Sequence, residues 1–221
     1  MTKVVAIDSH MNFNGWKYFA AGSEKVSIGC YGKKTPIFGM NKLEVQDHFP
    51  YKKMKISNVT CFEIDTSKST EANFSAGFNL VKVLGASFSP SYKNAKAKKF
   101  KLLQLHMMPG DMKDAVNDSN KHRGEFSDLG NDARVVNEIF IATEWEEAER
   151  IEAGAGFEAS VNAGVFELNF EVGAKHKRQQ SVSIVANTCA FYGLLEADWD
   201  KNSKKKRDKV TKFSVDEWGV G

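Results

Sequence analysis

Apolar and polar residues alternate with period two over two stretches of the chain, residues 72–88 and 151–172. In the first, Phe74, Ala76, Phe78, Leu80, Leu84, Ala86 and Phe88 share one phase, with Lys82 as its polar break. In the second, Ile151, Ala153, Ala155, Phe157, Ala159 and Val161 alternate with Glu152, Gly154, Gly156, Glu158, Ser160 and Asn162. The phase then slips by one around residues 162–164, after which Phe166, Leu168, Phe170 and Val172 alternate with Glu167, Asn169 and Glu171. A slip at a Gly-containing turn keeps both arms of a hairpin apolar on one face. Each stretch therefore predicts an amphipathic β-hairpin. The arms exceed the usual strand length of about 5–6 residues and approach the roughly 9–11 residues that cross a bilayer at a tilt. A long soluble hairpin, one face on a core and one in water, has the same alternation. Pattern alone does not separate the two.

Elsewhere the pattern predicts strands at 25–31, 35–40, 55–64, 100–107, 139–143, 180–186 and 188–195. Short helices are predicted at 41–49, 111–121 and 131–138, with a polar loop at 122–130. Residues 1–19 carry no helical stripe. The fold class expected is α+β: a twisted, mostly antiparallel sheet with flanking helices and two long amphipathic hairpins able to convert to membrane-spanning strands. At 221 residues the chain fits one domain, 1–200, with a charged tail at 201–221. Residues 200–208 are expected to be disordered, and Phe213, Val215 and Trp218 to dock a last segment.

Charge changes this picture through its distribution. The net charge is only +3, but the basic residues cluster: Lys33 with Lys34, Lys52 and Lys53 with Lys55, and Lys204, Lys205 and Lys206 in the tail. Further basic groups lie at 93–101 and 175–178. Beside membrane segments such clusters suit an anionic leaflet, where each lysine contributes about 1 kcal/mol. A solvated face or a nucleic-acid contact would have the same composition. No secretory signal is apparent, and the longest apolar stretch, 184–195, is interrupted by Asn187 and Thr188. Cys30, Cys61 and Cys189 are few and widely spaced, as in a chain kept reduced in the cytosol. One of them in an intermolecular bridge would fit the sequence equally well.

Catalytic signatures are missing. His10, His48, His106, His122 and His176 stand far apart without ligand spacing, and there is no Cys-x-x-Cys. Gly154-Ala155-Gly156-x-x-Ala159 matches a relaxed dinucleotide fingerprint, but an acidic run precedes it and a strand pattern follows. No enzyme activity, cofactor or metal is expected.

Taken in order, the segments resemble the pore-forming domain of the gasdermins over roughly residues 13–200. The residues that carry the resemblance are the apolar hairpin at 72–88 with its basic return, and the strand at 101–107 leading into a helix. Ile139-Phe140-Ile141-Ala142-Thr143-Glu144 follows, ahead of the second hairpin. Last come Lys177-Arg178-Gln179-Gln180-Ser181-Val182-Ser183-Ile184 and Thr188-Cys189-Ala190-Phe191. The family's basic first helix is reduced or missing, and a C-terminal repressor domain is not expected. It is similar to the short gasdermin-like proteins of fungi and early-branching animals.

The resemblance implies a pore-forming protein that assembles on anionic phospholipid membranes and causes lytic cell death. It implies a cytoplasmic soluble form and an assembled form in the cell membrane, a homo-oligomeric ring or a mixed ring with a related variant. Nucleic acid is not an expected partner. Lys33, Lys34, Lys52, Lys53, Lys55, Lys204, Lys205 and Lys206 would meet lipid headgroups. Phe74, Phe78, Leu80, Leu84, Phe88, Phe157, Val161, Phe166, Leu168 and Phe170 would face the acyl chains. Glu152, Glu158, Glu167 and Glu171 would line the pore. The rival from another class is a soluble β-rich binding or scaffold protein that uses a basic surface without inserting.

Overall fold

The body of the protein is organised by β8 (Ala133–Glu144), in which residues 133–141 are all buried. A strand covered on both faces carries a near-continuous apolar run instead of a clean alternation. The computed structural model describes residues 3–7, 10–21, 26–37, 40–50, 56–65, 100–162, 165–173, 178–185, 189–200 and 209–216. The hairpin expected at 72–88, the lysines at 52, 53, 55 and 204–206, the 200–208 segment beyond Asp200, and Trp218 lie outside them.

Along one edge β8 pairs with β12 (Cys189–Trp199), from Ile141↔Cys189 to Arg134↔Glu196. Along the other it pairs with β4 (Cys30–Ile37) near its start and β7 (Phe100–His106) towards its end. Beyond β7 come β6 (Asn58–Asp65), β1 (Lys3–Ile7), β2 (His10–Phe13) and β3 (Trp16–Ala20). Because β3 pairs back onto β12, the strands β12-β3-β2-β1-β6-β7-β8 close into a ring. The β1–β6 contact is parallel and the other contacts in the ring are antiparallel. β5 (Met40–His48) extends the sheet beyond β4, and β13 (Val210–Asp216) extends it beyond β12.

Two helices, α1 (Pro109–Asn117) and α2 (Asn120–Asp128), cover one face of this ten-stranded sheet. Met112, Ala115 and Val116 anchor α1, and Phe126 anchors α2. Asn117 receives the Val210 amide on Oδ1 and donates through Nδ2 to the Val210 carbonyl, both at 2.9 Å. It thereby takes the place of a strand partner at the start of β13. A third helix, α3 (Trp145–Glu152), leads from β8 into a separate three-stranded sheet ordered β11-β10-β9. Its strands are β9 (Gly154–Asn162), β10 (Val165–Val172) and β11 (Arg178–Val185).

The mostly antiparallel α+β class holds, and several elements differ from expectation. The predicted helix at 41–49 is mostly strand β5, where Leu43 and Val45 turn inward at period two, with Phe49 buried just past its end. Two apolar residues spaced by two, among charged neighbours, read equally as a helix face until β4 supplies a pairing partner. The predicted helix at 131–138 is a 3-10 turn (Gly130–Asp132) followed by β8. The polar loop at 122–130 is mostly α2, held by the single buried Phe126. The helix expected at 111–121 runs from Pro109 to Asn117. Of the expected last segment, β13 docks with Phe213 buried and Val215 exposed.

Across the β7–β8 ladder, a polar group lies against aromatic rings. Glu138 is 7% exposed and accepts hydrogen bonds from Gln104 Nε2 and the Tyr18 hydroxyl. Tyr18 lies 4.8 Å from Phe140 between ring centroids, and Phe13 4.4 Å from Phe62. Burial pushes the Glu138 carboxyl up to about 7, from an ordinary value of 4.5. Between those values the native protein holds a proton that the unfolded chain has lost. Its contribution is therefore fully present below pH 4.5, declines as pH rises towards 7, and is constant above. Burial lowers His106, its cross-strand partner, and so acts in the opposite sense. Glu138→Gln keeps the shape without the charge. The variant should exceed the parent in urea stability at pH 8, by up to about 3 kcal/mol, and by much less at pH 4. Parallel pH profiles for the two proteins would show that Glu138 is not the group responsible.

Candidate membrane-inserting hairpin

The hairpin of β9 and β10 begins three residues later than the alternation suggests. Residues 151 and 152 belong to α3, and the strand starts at Gly154. Trp145-Glu146-Glu147-Ala148-Glu149-Arg150-Ile151-Glu152 is built largely from good helix formers, with Glu146 and Glu147 in its first turn and Arg150 in its last. Ala148 and Ile151, three apart, are both fully buried. Helical spacing thus satisfies these residues better than an extended arm would. Glu146 and Glu149 are exposed on the outer face of this helix.

The phase of β9 is set by a bulge at Gly156. Asn169 pairs with Glu158 and Glu171 with Ala155, so Gly156 and Phe157 together oppose Phe170. Gly156 has φ +65°, the left-handed conformation that glycine adopts without penalty, as a bulge of this kind requires. The extra residue returns Gly154 to the apolar face and turns Ala155 to solvent. Gly154 is also a close-approach site: a Cβ there would meet Cδ2 of Phe170 at 2.5 Å.

Beyond the bulge the faces segregate as the sequence suggests. Leu168, Phe170 and Val182 of β10 and β11 are buried in the main apolar core, and Phe157 packs partly buried against it. The Phe157 and Phe170 rings lie 5.6 Å apart. Val161 and Phe166 are register partners near the tip. On the opposite face Glu158 and Glu167 are exposed and Glu171 is half-buried. Across the ladder Glu167 pairs with Ser183, Asn169 with Ser181 and Glu171 with Gln179. Three of the four candidate pore-lining glutamates therefore share one polar surface.

Glu152 stands apart from them. It ends α3, where its Oε2 accepts from Lys101 Nζ at 2.7 Å. The Lys101 side chain is 2% exposed, at the second residue of β7. This pair ties the base of the hairpin to the strand that follows residues 66–99. Cys61 lies beside it, with Sγ 3.7 Å from the Ala148 carbonyl, and burial with the Glu152 charge pushes its thiol up to about 12. Such a thiol is protonated and unreactive at neutral pH. Sequence reading missed the pair because Glu152 appeared to be one polar position in a strand.

Of the candidate lipid-binding lysines among the described residues, Lys33 is exposed on β4. Lys34 instead faces inward: Nζ lies 2.9 Å from Asp216 Oδ1 and 5.8 Å from the centroid of the Phe19 ring. Asp216 also receives Arg134 Nε at 2.6 Å, and Arg134 reaches Glu196 at 3.1 Å. The network joins β4, β8, β12 and β13. Among the described residues, Asp47, His122 and Glu125 bring possible metal ligands together.

Comparisons of the chain with protein-family models, with curated proteins and with solved structures find no match. No helix among the described residues is long and apolar enough to cross a membrane, which leaves crossing by strands open.

Removing the Glu152 carboxylate would leave Lys101 charged and buried without it. Glu152→Ala should lower urea stability by about 2–3 kcal/mol, less than for a fully buried pair because Glu152 is partly solvated. Lys101→Met combined with Glu152→Gln should recover most of that loss. If Glu152→Ala matches the parent within error, the pair does not hold the hairpin base.

Proposed function

We propose that this chain permeabilises membranes in the manner of the gasdermins: it oligomerises on anionic membranes and inserts the β9–β10 hairpin. The segment 72–88 is its second spanning hairpin in this reading. The observation that carries it is the separate small sheet, with one apolar face folded onto the core and one acidic face in water. No strand ladder joins this sheet to the ten-stranded one among the described residues. Releasing it gives up side-chain burial, on the order of 1.5–3 kcal/mol for each large apolar residue. Acyl chains can cover the same face again. The nine and eight residues of β9 and β10 span roughly 25–30 Å at about 3.3 Å per residue, close to the hydrocarbon thickness.

A lone hairpin does not persist in lipid, because its edge N–H and C=O groups would be unpaired at several kcal/mol each. Insertion is therefore coupled to side-by-side assembly into a closed barrel, with lysines such as Lys33 drawing the soluble form to the surface. Glu158, Glu167 and Glu171 then line the wall and favour cations. Lytic cell death is the outcome such a pore would have in a cell.

The protein should release dye from anionic vesicles, more weakly as salt rises, and form rings visible by electron microscopy. Ala159→Asp, near the middle of β9 on its apolar face, should suppress release, since a charge at the bilayer midplane costs on the order of 2 kcal/mol per subunit. Attachment without release is what a soluble binding protein with a basic surface would give, and it would overturn the pore reading.

Replacing Glu158, Glu167 and Glu171 together by Gln should reduce cation preference, read as the reversal potential in a salt gradient across a planar bilayer. Anion preference in the parent, or no change on replacement, would place this face outside the conduit.

A further inference from the structure

α2 carries His122 and Glu125 three residues apart, hence on one helical face. That face lies against the end of β5, where Asp47 sits. The contact is fixed by aromatic packing: Tyr31 of β4 lies 4.7 Å from Phe49, 5.7 Å from Phe126 and 6.2 Å from His122 between ring centroids. His122 Nδ1 is 3.6 Å from Asp47 Oδ2 and 3.5 Å from Glu125 Oε2, and the three ligand atoms all lie within 4.8 Å of one another. A tetrahedral ion with bonds of about 2.0–2.2 Å needs ligand–ligand edges of about 3.3–3.6 Å. Two of the three edges are already at that length.

The hydrogen-bonding pattern leaves room for a cation. The Tyr31 hydroxyl donates to Glu125 Oε2 at 2.6 Å and lies 3.2 Å from His122 Nδ1. With the hydroxyl proton directed at Glu125, and in the His122 tautomer that carries its proton on Nε2, the lone pairs of Nδ1, Asp47 Oδ2 and Tyr31 Oη converge beside two carboxylate charges. Lys121 offsets little of this, since its ammonium is 76% exposed and 3.8 Å from the other oxygen, Glu125 Oε1. A dication among the three ligand atoms would neutralise both carboxylates.

We propose that Asp47, His122 and Glu125 form a site for a divalent transition-metal ion of the zinc class, which fastens α2 to the β4–β5 hairpin. An imidazole with two carboxylates selects zinc-like ions over magnesium and calcium, which prefer all-oxygen sites. The Asp47 and Glu125 side chains are 40% and 42% exposed, so the fourth position opens to water. Tyr31 is the orienting group behind Glu125. The site does not depend on the pore reading.

The test uses the full chain stripped with chelator and titrated with zinc chloride by calorimetry. One ion per chain is expected, with no uptake of magnesium at the same concentration. Asp47→Asn and His122→Gln should each weaken zinc binding at least tenfold, and Tyr31→Phe by about tenfold. Far-UV circular dichroism checks that each variant is folded, and Glu125→Gln serves as a third ligand variant should one fail. Cobalt loading should give the visible bands of a four-coordinate nitrogen and oxygen site. Absence of zinc uptake, uptake unchanged in the ligand variants, or a thiolate charge-transfer band on cobalt loading would each overturn the proposal.

Discussion

Side-chain burial joins the β9–β10–β11 sheet to the rest of the protein, and the behaviour proposed for the chain depends on that mode of attachment. Leu168, Phe170 and Val182 are buried in the main core, yet among the described residues the strand ladders of the small sheet run only between its own three strands. Burial is non-directional and proportional to apolar area. A lipid phase can therefore replace the core as the partner of this face, whereas it could not replace a strand ladder. The ten-stranded sheet is built in the opposite way. β8 is paired along both edges and covered on both faces, so that scaffold is suited to stay folded while the small sheet moves.

Ionic contacts mark where such a movement would begin. Lys101 and Glu152 meet at the base of the hairpin, joining α3 to β7. Around Asp216, Lys34 and Arg134 fasten the last strand to β4 and β8. Both sets include side chains that are nearly excluded from water, where breaking one partner is costly and a wet surface pair would matter little. Lys34 reads as a surface cation in the sequence because it follows Lys33, but the alternation of β4 turns adjacent lysines to opposite sides. One meets solvent and the other meets Asp216.

Much of the small sheet was legible in the sequence, because a face that is apolar in every second residue has few other solutions. The strands β9, β10, β11 and β12 lie close to where the alternation puts them. What escaped were places where a second period competes or a partner decides. Ala148 and Ile151 read as helix only once Ala155 is recognised as polar-facing, and that depends on the bulge at Gly156. Leu43 and Val45 fit either period until β4 is beside them. His122 and Glu125 looked unrelated because α2 has a single buried residue, Phe126, too little for a periodic signal. Asp47 joins them through tertiary packing alone.

The direct test of the central claim is which residues of β9 enter lipid. An environment-sensitive fluorophore placed in turn at positions 157 to 161, in a background lacking competing thiols, would be read before and after addition of anionic vesicles. The account predicts a period-two pattern on vesicles: positions 157, 159 and 161 shift to a hydrocarbon-like emission and become quenched by lipid-borne quenchers, while 158 and 160 stay aqueous. Spectra unchanged from the soluble protein at all five positions, under conditions where the protein is vesicle-bound, would contradict it.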